Sequence, residues 1–463
     1  MDFLYILLAL FIFGILIFIH ELGHFIAARA CGVKVLEFAI GMGPKIFSWQ
    51  GKKSGTRYAL RLFPIGGFVN MLGENGMEAV QGENGVTEET EKAPVSLIND
   101  VEPEPSEAET FEEPTPAPID PAISKQAYCN QKAWKRILIS IAGPAMNVIL
   151  GFLLMMILVI SSGVPLSTQI GGFHVVYNGE NELAEQGLQK GDYLYLIDGK
   201  NVSFETLKNA VKNANGAPIP VVIQRLNEVG DDSEFLEKQL ILTEKDLTLF
   251  QGSLSEGTGL RINDTVIKVN STSVHTFEEL RYEVMNQAYR PVTLTVLRDG
   301  EMVELPEIVF PSYEERGVVF GMTDFRLYQE RDFGIGTVLK HTWFRSLSTV
   351  KTVFDSLFGI ASGRYGVETV TGPIGITKTI GEVAQYGILN VLYLVIVITI
   401  NLGVMNLLPL PALDGGHILI YVIELIRRKP LKKEVEAIIN FVGLLLLLSL
   451  AVVVAFKDVF TLI

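Results

Sequence analysis

The chain has only two cysteines, Cys31 and Cys129, far apart and without neighbours that would complete a metal cluster. That excludes a disulfide framework and paired-cysteine redox chemistry, and both are read as free thiols. Positive charge is scarce, with 38 Lys and Arg against 52 Asp and Glu and a formal net charge of −14. No basic face can be assembled to neutralise phosphates, so nucleic acid is excluded as a partner. Histidine is rare as well, six in 463 residues, which gives weight to any two at a chemically meaningful spacing. What the chain has in excess is apolar surface. It is 48% hydrophobic and 19% charged, with a mean hydropathy of +0.33, too apolar for a typical soluble protein and too long for one ordinary domain.

Four stretches, about 3–30, 134–162, 385–413 and 436–456, are long and apolar enough to cross a hydrocarbon core of roughly 30 Å. The first lacks a basic n-region and exceeds a normal h-region, so it is read as a retained span rather than a cleaved leader. Lys34 and Lys45 follow the first span, and Lys132, Lys135 and Arg136 precede the second. Arg427, Arg428, Lys429, Lys432 and Lys433 crowd the link between the third and fourth. The positive-inside rule then makes 31–133 and 414–435 cytoplasmic, with both termini and 163–384 outside.

Between these spans the character changes. Residues 33–73 carry two strongly apolar stretches around the polar turn "QGKKSG" and read as a membrane-associated β-hairpin interrupted by Gly41, Gly43, Gly66 and Gly67. Residues 74–124 are acidic, rich in proline and poor in core formers, and read as a solvated linker. The outer segment holds an internal repeat. "GLQKGDYLYLIDGKNV" from Gly187 returns as "GLRINDTVIKVNSTSV" from Gly259, with Asp192 matched to Asp264. The first copy resembles a PDZ domain, and two such units are expected over 168–247 and 248–325. PDZ domains bind extended peptides by strand addition; a folded spacer is the plainer alternative. Residues 330–365 show helical periodicity with basic residues on one face, as in a helix lying on the outer membrane surface, or else a buried soluble helix.

The chemistry rests on "FIHELGHFIAA", which sets His20 and His24 one turn apart on one helix face. Two histidines and a glutamate inside a lipid span are costly unless they have a task. Two imidazoles at this spacing can share a zinc ion, which acidifies water to a pKa near 7, and Glu21 beside them can take the proton. A catalytic zinc usually has three protein ligands. The third span, 383–414, runs from outside to inside and ends in "NLLPLPALDGGH", so Asp414 reaches the same cytoplasmic-side depth; His417 competes for the role. Pro409 and Pro411 break the helix beforehand, and broken backbone in a membrane must be buried or line a wet cavity. Asn406 near that break could hold substrate backbone or an oxyanion, or bond another helix.

HExxH in the first span, "AGPAMN" in the second, "NLLPLPALDGG" in the third and two inserted PDZ-like units together resemble the site-2 protease family of intramembrane zinc metalloproteases, especially its bacterial RseP-type members. The likeness covers nearly the whole chain. It implies one zinc ion held by His20, His24 and Asp414, Glu21 as general base, and Asn406 and Asn147 in contact with substrate. It also implies that the hairpin around Gly41 and Gly43 pairs with an extended substrate. The expected fold is a membrane α-helical bundle of four transmembrane helices, with the β-hairpin and two extracytoplasmic PDZ-like domains. The expected partners are the lipid bilayer, single-span membrane substrates such as a pre-trimmed anti-sigma factor or a remnant signal peptide, and peptide ends at the PDZ units. The expected place is the bacterial plasma membrane, with the active site near the cytoplasmic side. The acidic linker 74–124 is longer than the family's usual connection. A catalytically silent PDZ receptor with a structural metal is the alternative, but structural zinc is usually closed by four protein ligands. A metal transporter would want carboxylates or histidines along several spans, and the fourth has none.

Overall fold

The computed structural model describes residues 3–462 apart from 53, 75–124, 163, 166–167, 181, 227–232, 316–317, 329–330, 367–369 and 430. The acidic linker, from residue 75 on, lies outside the described residues. Along the chain, helix α1 is Phe3–Ala30, strands β1 and β2 are Val35–Gln50 and Arg57–Met71, and α2 is Ala133–Ser162. Two β-rich bodies follow, containing helices α3 (Phe204–Ala214) and α4 (Phe277–Gln287). Then come α5 (Ile335–Ala361), α6 (Pro373–Ala384), α7 (Ile388–Asn406), α8 (Asp414–Arg427) and α9 (Lys433–Leu462). Among the described residues, four helices are long and apolar enough to cross a membrane: Leu4–Ala30, Ala133–Ser162, Ile388–Asn406 and Glu434–Phe460. Along α9, Leu444, Leu446, Leu448 and Val453 are more than half exposed, as suits side chains that face lipid.

The chain divides into two compact units. One comprises Ala9–Asn147 and Met405–Ser449. Its core joins Ala28, Val35, Phe38, Val69, Ile139 and Tyr421. Here β1 and β2 pair antiparallel, but each strand is bent. Glu37, Phe38, Ala39 and Ile40 face Asn70, Val69, Phe68 and Gly67 on one side. On the other side they face Arg57, Tyr58, Ala59 and Leu60, which in turn meet residues 47–50. The hairpin is thus a ribbon four segments wide, with 67–71 along one margin and 47–50 along the other. Gly41 and Gly43 form the bend, each with φ +85°, a conformation open to glycine at little cost. A Cβ at Gly41 would also press on the carbonyl oxygen of Phe63. Beyond the bend Met42, Ile46, Phe47, Trp49, Leu62 and Phe63 are exposed, an apolar tip suited to a membrane rather than water.

The other unit comprises residues 1–8, Val148–Val404 and Leu450–Ile463. Its first β-rich body packs Val175, Tyr177, Leu194, Ile197, Leu207 and Ile223 around α3. Its second packs Leu260, Val266, Leu280, Leu294 and Val296 around α4, and takes in Ile170 and Phe173 from before the first body. Strand Ile170–Phe173 pairs with Phe325–Leu327. The first body is therefore inserted within the second, and the division expected at 247/248 does not separate the two cores. The repeat signal marks the turn, strand and helix common to both bodies and carries no information about flanking strands that pair across 150 residues.

Two elements differ from the sequence reading. The segment expected on the membrane surface, α5, packs lengthwise on α2 and α7 through Val338, Val353, Met155, Val159 and Ile396. Its apolar stripe of Ile335, Leu339, Trp343, Leu347, Phe354 and Phe358 faces outward, whereas His341, Thr342, Ser346 and Thr349 are buried. It also grips α4: Arg345 pairs with Glu278 at 2.7 Å, and the Tyr282 hydroxyl donates to Asp355 at 3.2 Å. The third span is shorter than 383–414. Residues Gln385–Gly387 separate α6 from α7, and α7 stops at Asn406. Pro409 and Pro411 have no N–H to continue the ladder, and Ala412 takes φ +66° before α8 begins. Asp414 thus opens a new helix, with Leu413 as its N-cap, instead of closing an old one.

Candidate active site

All the chemistry singled out in the sequence belongs to the unit built from 9–147 and 405–449. The i, i+4 spacing on α1 sets the two imidazoles edge to face, with ring centroids 4.8 Å apart and Nε2 atoms 3.2 Å apart. The start of α8 brings the Asp414 carboxylate between them, with Oδ2 3.1 Å from His20 Nε2 and 3.4 Å from His24 Nε2. His20 is 9% exposed. Three side chains from two elements, α1 and α8, thus converge one atom each within 4.8 Å.

Each imidazole is held from behind by α2. His24 Nδ1 lies 2.8 Å from the carbonyl oxygen of Ile139. His20 Nδ1 lies 3.3 Å from Nδ2 of Asn147, which is wholly buried. Gly143 lets the helices approach, since a Cβ there would collide with the His24 ring.

Glu21 points into the same cavity and accepts a hydrogen bond from the backbone of Val69, on the 67–71 margin of the ribbon. A Cβ on Gly67 would lie 3.1 Å from Glu21 Cγ, so Glu21 and the ribbon margin are in contact. The cavity measures about 650 Å³. Its far wall includes Glu436 and Asn440 of α9. Tyr128, whose hydroxyl donates to Tyr421 at 3.2 Å, closes another side. Burial pushes the Tyr128 hydroxyl up to about 12, so it keeps its proton at any physiological pH.

His417 lines the cavity but stands apart from the convergent trio, with Nδ1 3.6 Å from Glu436 and its ring stacked on Tyr421. Asn406, the last residue of α7, and Gly41 and Gly43 at the ribbon bend are not among the residues lining the cavity. Sequence reasoning missed the Val69 backbone, the Ile139 carbonyl, and Glu436 and Asn440. The one local signal was the apolar "PIGGFVNM" run, whose second glycine, Gly67, marks where the ribbon lies close against Ile17 and Glu21 of α1.

Two imidazoles and a carboxylate placed to hold one metal ion, with a second acid beside them in a chain of four membrane-type helices, are the marks of the membrane metallopeptidase class. The model of peptidase family M50 matches residues 8–450, and the chain belongs to that family of zinc-dependent proteases. It is 29% identical to zinc metalloprotease RasP of Bacillus licheniformis, over 97% of each chain. It is 28% identical to the regulator of sigma-W protease RasP of Bacillus subtilis, over 97% of this chain and 96% of that one. A putative zinc metalloprotease of Vibrio cholerae is 28% identical over 96% of both chains.

The donor set fits zinc. Two imidazole nitrogens and a carboxylate oxygen are its usual partners, and ligands at about 2.0–2.2 Å around a tetrahedral ion stand roughly 3.3–3.6 Å apart. The separations of 3.1, 3.2 and 3.4 Å come close to that spacing.

Proposed function

We propose that this peptidase is a zinc endopeptidase that cleaves the membrane-spanning segments of single-span proteins, anti-sigma factors or remnant signal peptides among them. The observation that carries the reading is the convergence of His20, His24 and Asp414 beside Glu21 in one cavity walled by apolar helices. In this reading His20, His24 and Asp414 hold the metal. Bound zinc supplies Lewis acidity toward the scissile carbonyl and toward water. Glu21 does the proton work: its carboxylate takes the proton of the attacking water and passes it to the departing amide nitrogen.

Hydrolysis also needs an unwound substrate, because a helix hides its own peptide groups. The 67–71 margin of the ribbon offers backbone groups next to Glu21, so an entering segment adds to it as a further strand. Residues 31–133 and the link after α8 face the cytoplasm, where the Lys and Arg are concentrated. Both β-rich bodies face outside and are PDZ-like units that restrict access. Asn406 and the bend at Gly41 and Gly43 act on substrate through the break after α7 and through the shape of the ribbon.

The test uses purified full-length protein with a single-span reporter. Cleavage is expected to stop with a zinc chelator and to return when zinc is restored. Glu21→Gln is expected to keep its zinc, since neither imidazole is touched, and to lose at least about 100-fold in rate, the low end for a lost general base. Wild-type cleavage by Glu21→Gln would sink the mechanism.

A further inference from the structure

The "AGPAMN" segment of α2 is placed behind the metal donors rather than in front of them. Asn147 has no exposed surface, and its amide meets the one nitrogen of His20 that faces away from Asp414. Three turns of α2 therefore serve both histidines: Ile139 offers a carbonyl to His24, Gly143 leaves room for its ring, and Asn147 reaches His20. Pro144 lies between these contacts and cannot donate to the preceding turn. The in-helix bond it omits is the one to the carbonyl of Ser140, the residue after Ile139.

We propose that Asn147 is a positioning residue that fixes the ring and tautomer of His20, and not a substrate contact. This rests on the ligand set proposed above. When His20 gives the Nε2 lone pair to a cation, the ring proton must sit on Nδ1 and needs an acceptor. The oxygen and nitrogen of an amide exchange places by a half-turn about its last torsion. Asn147 can thus offer Oδ1 to the loaded site and Nδ2 to the empty one without moving its backbone. A hydrocarbon side chain offers neither, and a carboxylate offers only the acceptor. Outer partners of this kind typically carry 10–100-fold in metal affinity or activity.

The experiment compares Asn147→Ala, Asn147→Asp and His20→Ala with wild type in purified full-length protein. Zinc release into a chelator and the separate kcat and KM of reporter cleavage are read. Asn147→Ala is expected to release zinc on the order of 10–100-fold faster, with kcat lowered and KM little changed. Asn147→Asp keeps the acceptor and is expected to restore retention to within several-fold of wild type. A raised KM with wild-type zinc release in Asn147→Ala would return the residue to the substrate and overturn the proposal. If Asn147→Ala does not fold, Asn147→Asp decides: retention near wild type supports the acceptor role, and release as fast as in His20→Ala overturns it. Full zinc retention in His20→Ala is a separate outcome, which removes the ligand set itself.

Discussion

At the scale of single residues, the site separates two neighbours on α8 that the sequence left in competition. Asp414 stands 3.1 Å from His20 Nε2, whereas His417, one turn later, turns to Glu436. Removing the carboxylate charge should therefore be felt at the metal and removing the imidazole should not. Asp414→Asn is expected to lower zinc occupancy and activity together, by 10-fold or more by analogy with the loss of a metal's supporting groups. His417→Ala is expected to keep the metal and most of the activity. Metal analysis of the two purified variants checks this, and full zinc in Asp414→Asn with loss in His417→Ala would reverse the roles. The pair His20 and His24 was legible because its spacing is local and helical. Asp414 was legible because helix rise and basic-residue bias put it at the same depth. The side on which Asn147 stands was not, since that depends on how α2 is rotated against α1.

At the scale of elements, the repeat visible in the sequence has a physical core that the sequence half concealed. Asp192 and Asp264 are each 1% exposed. Each receives a two-pronged guanidinium: Arg225 on Asp192 through Nε at 2.8 Å and a terminal nitrogen at 2.7 Å, Arg298 on Asp264 at 2.7 Å through both. The same arginines also donate to the carbonyl oxygens of Gly187 and Gly259. The aspartates were found by self-similarity, but their partners were not, because each arginine arrives from a later strand. Taking away one arginine leaves a buried carboxylate without its counter-charge, which costs about 3–5 kcal/mol. Arg225→Ala should lower the stability of the first body by about that much, read by denaturant titration or protease resistance of the outer segment. An effect below about 1 kcal/mol would show the pair to be no better than a surface bridge. The swap of strand Ile170–Phe173 into the second body was hidden for a like reason: β pairing is long-range and leaves no periodic mark at its ends. The third span was drawn too long because hydropathy alone does not register the helix stops after Ala384 and Asn406.

At the scale of the whole molecule, a protease open to every membrane helix would consume its own membrane, so admission must be restricted. In the proposed orientation the two folded bodies lie outside, joined to α2 on one side and to α5 on the other, and can do this by bulk without binding any ligand tightly. A single-span substrate with a large outer domain is expected to be cut poorly, at least several-fold more slowly than the same substrate trimmed to a short stub. Replacing 168–325 by a short linker is expected to narrow that gap. Reporter cleavage in membranes checks both statements. Equal rates for the two substrates with the intact enzyme would dispose of the size filter while leaving the protease itself untouched.

Because the first body is nested in the second, its two ends leave from almost the same place. The backbone N–H of His174 donates to the Ser253 hydroxyl at 2.9 Å, and that hydroxyl donates back to the His174 carbonyl at 3.0 Å. A module whose entry and exit are adjacent is a cassette: it can be lost, exchanged or enlarged over evolutionary time while the host body keeps its own strands and core. On the size-filter reading, exclusion can be retuned to new clients by replacing 175–251 alone. His20, His24 and Asp414 belong to the other compact unit and need not change with it.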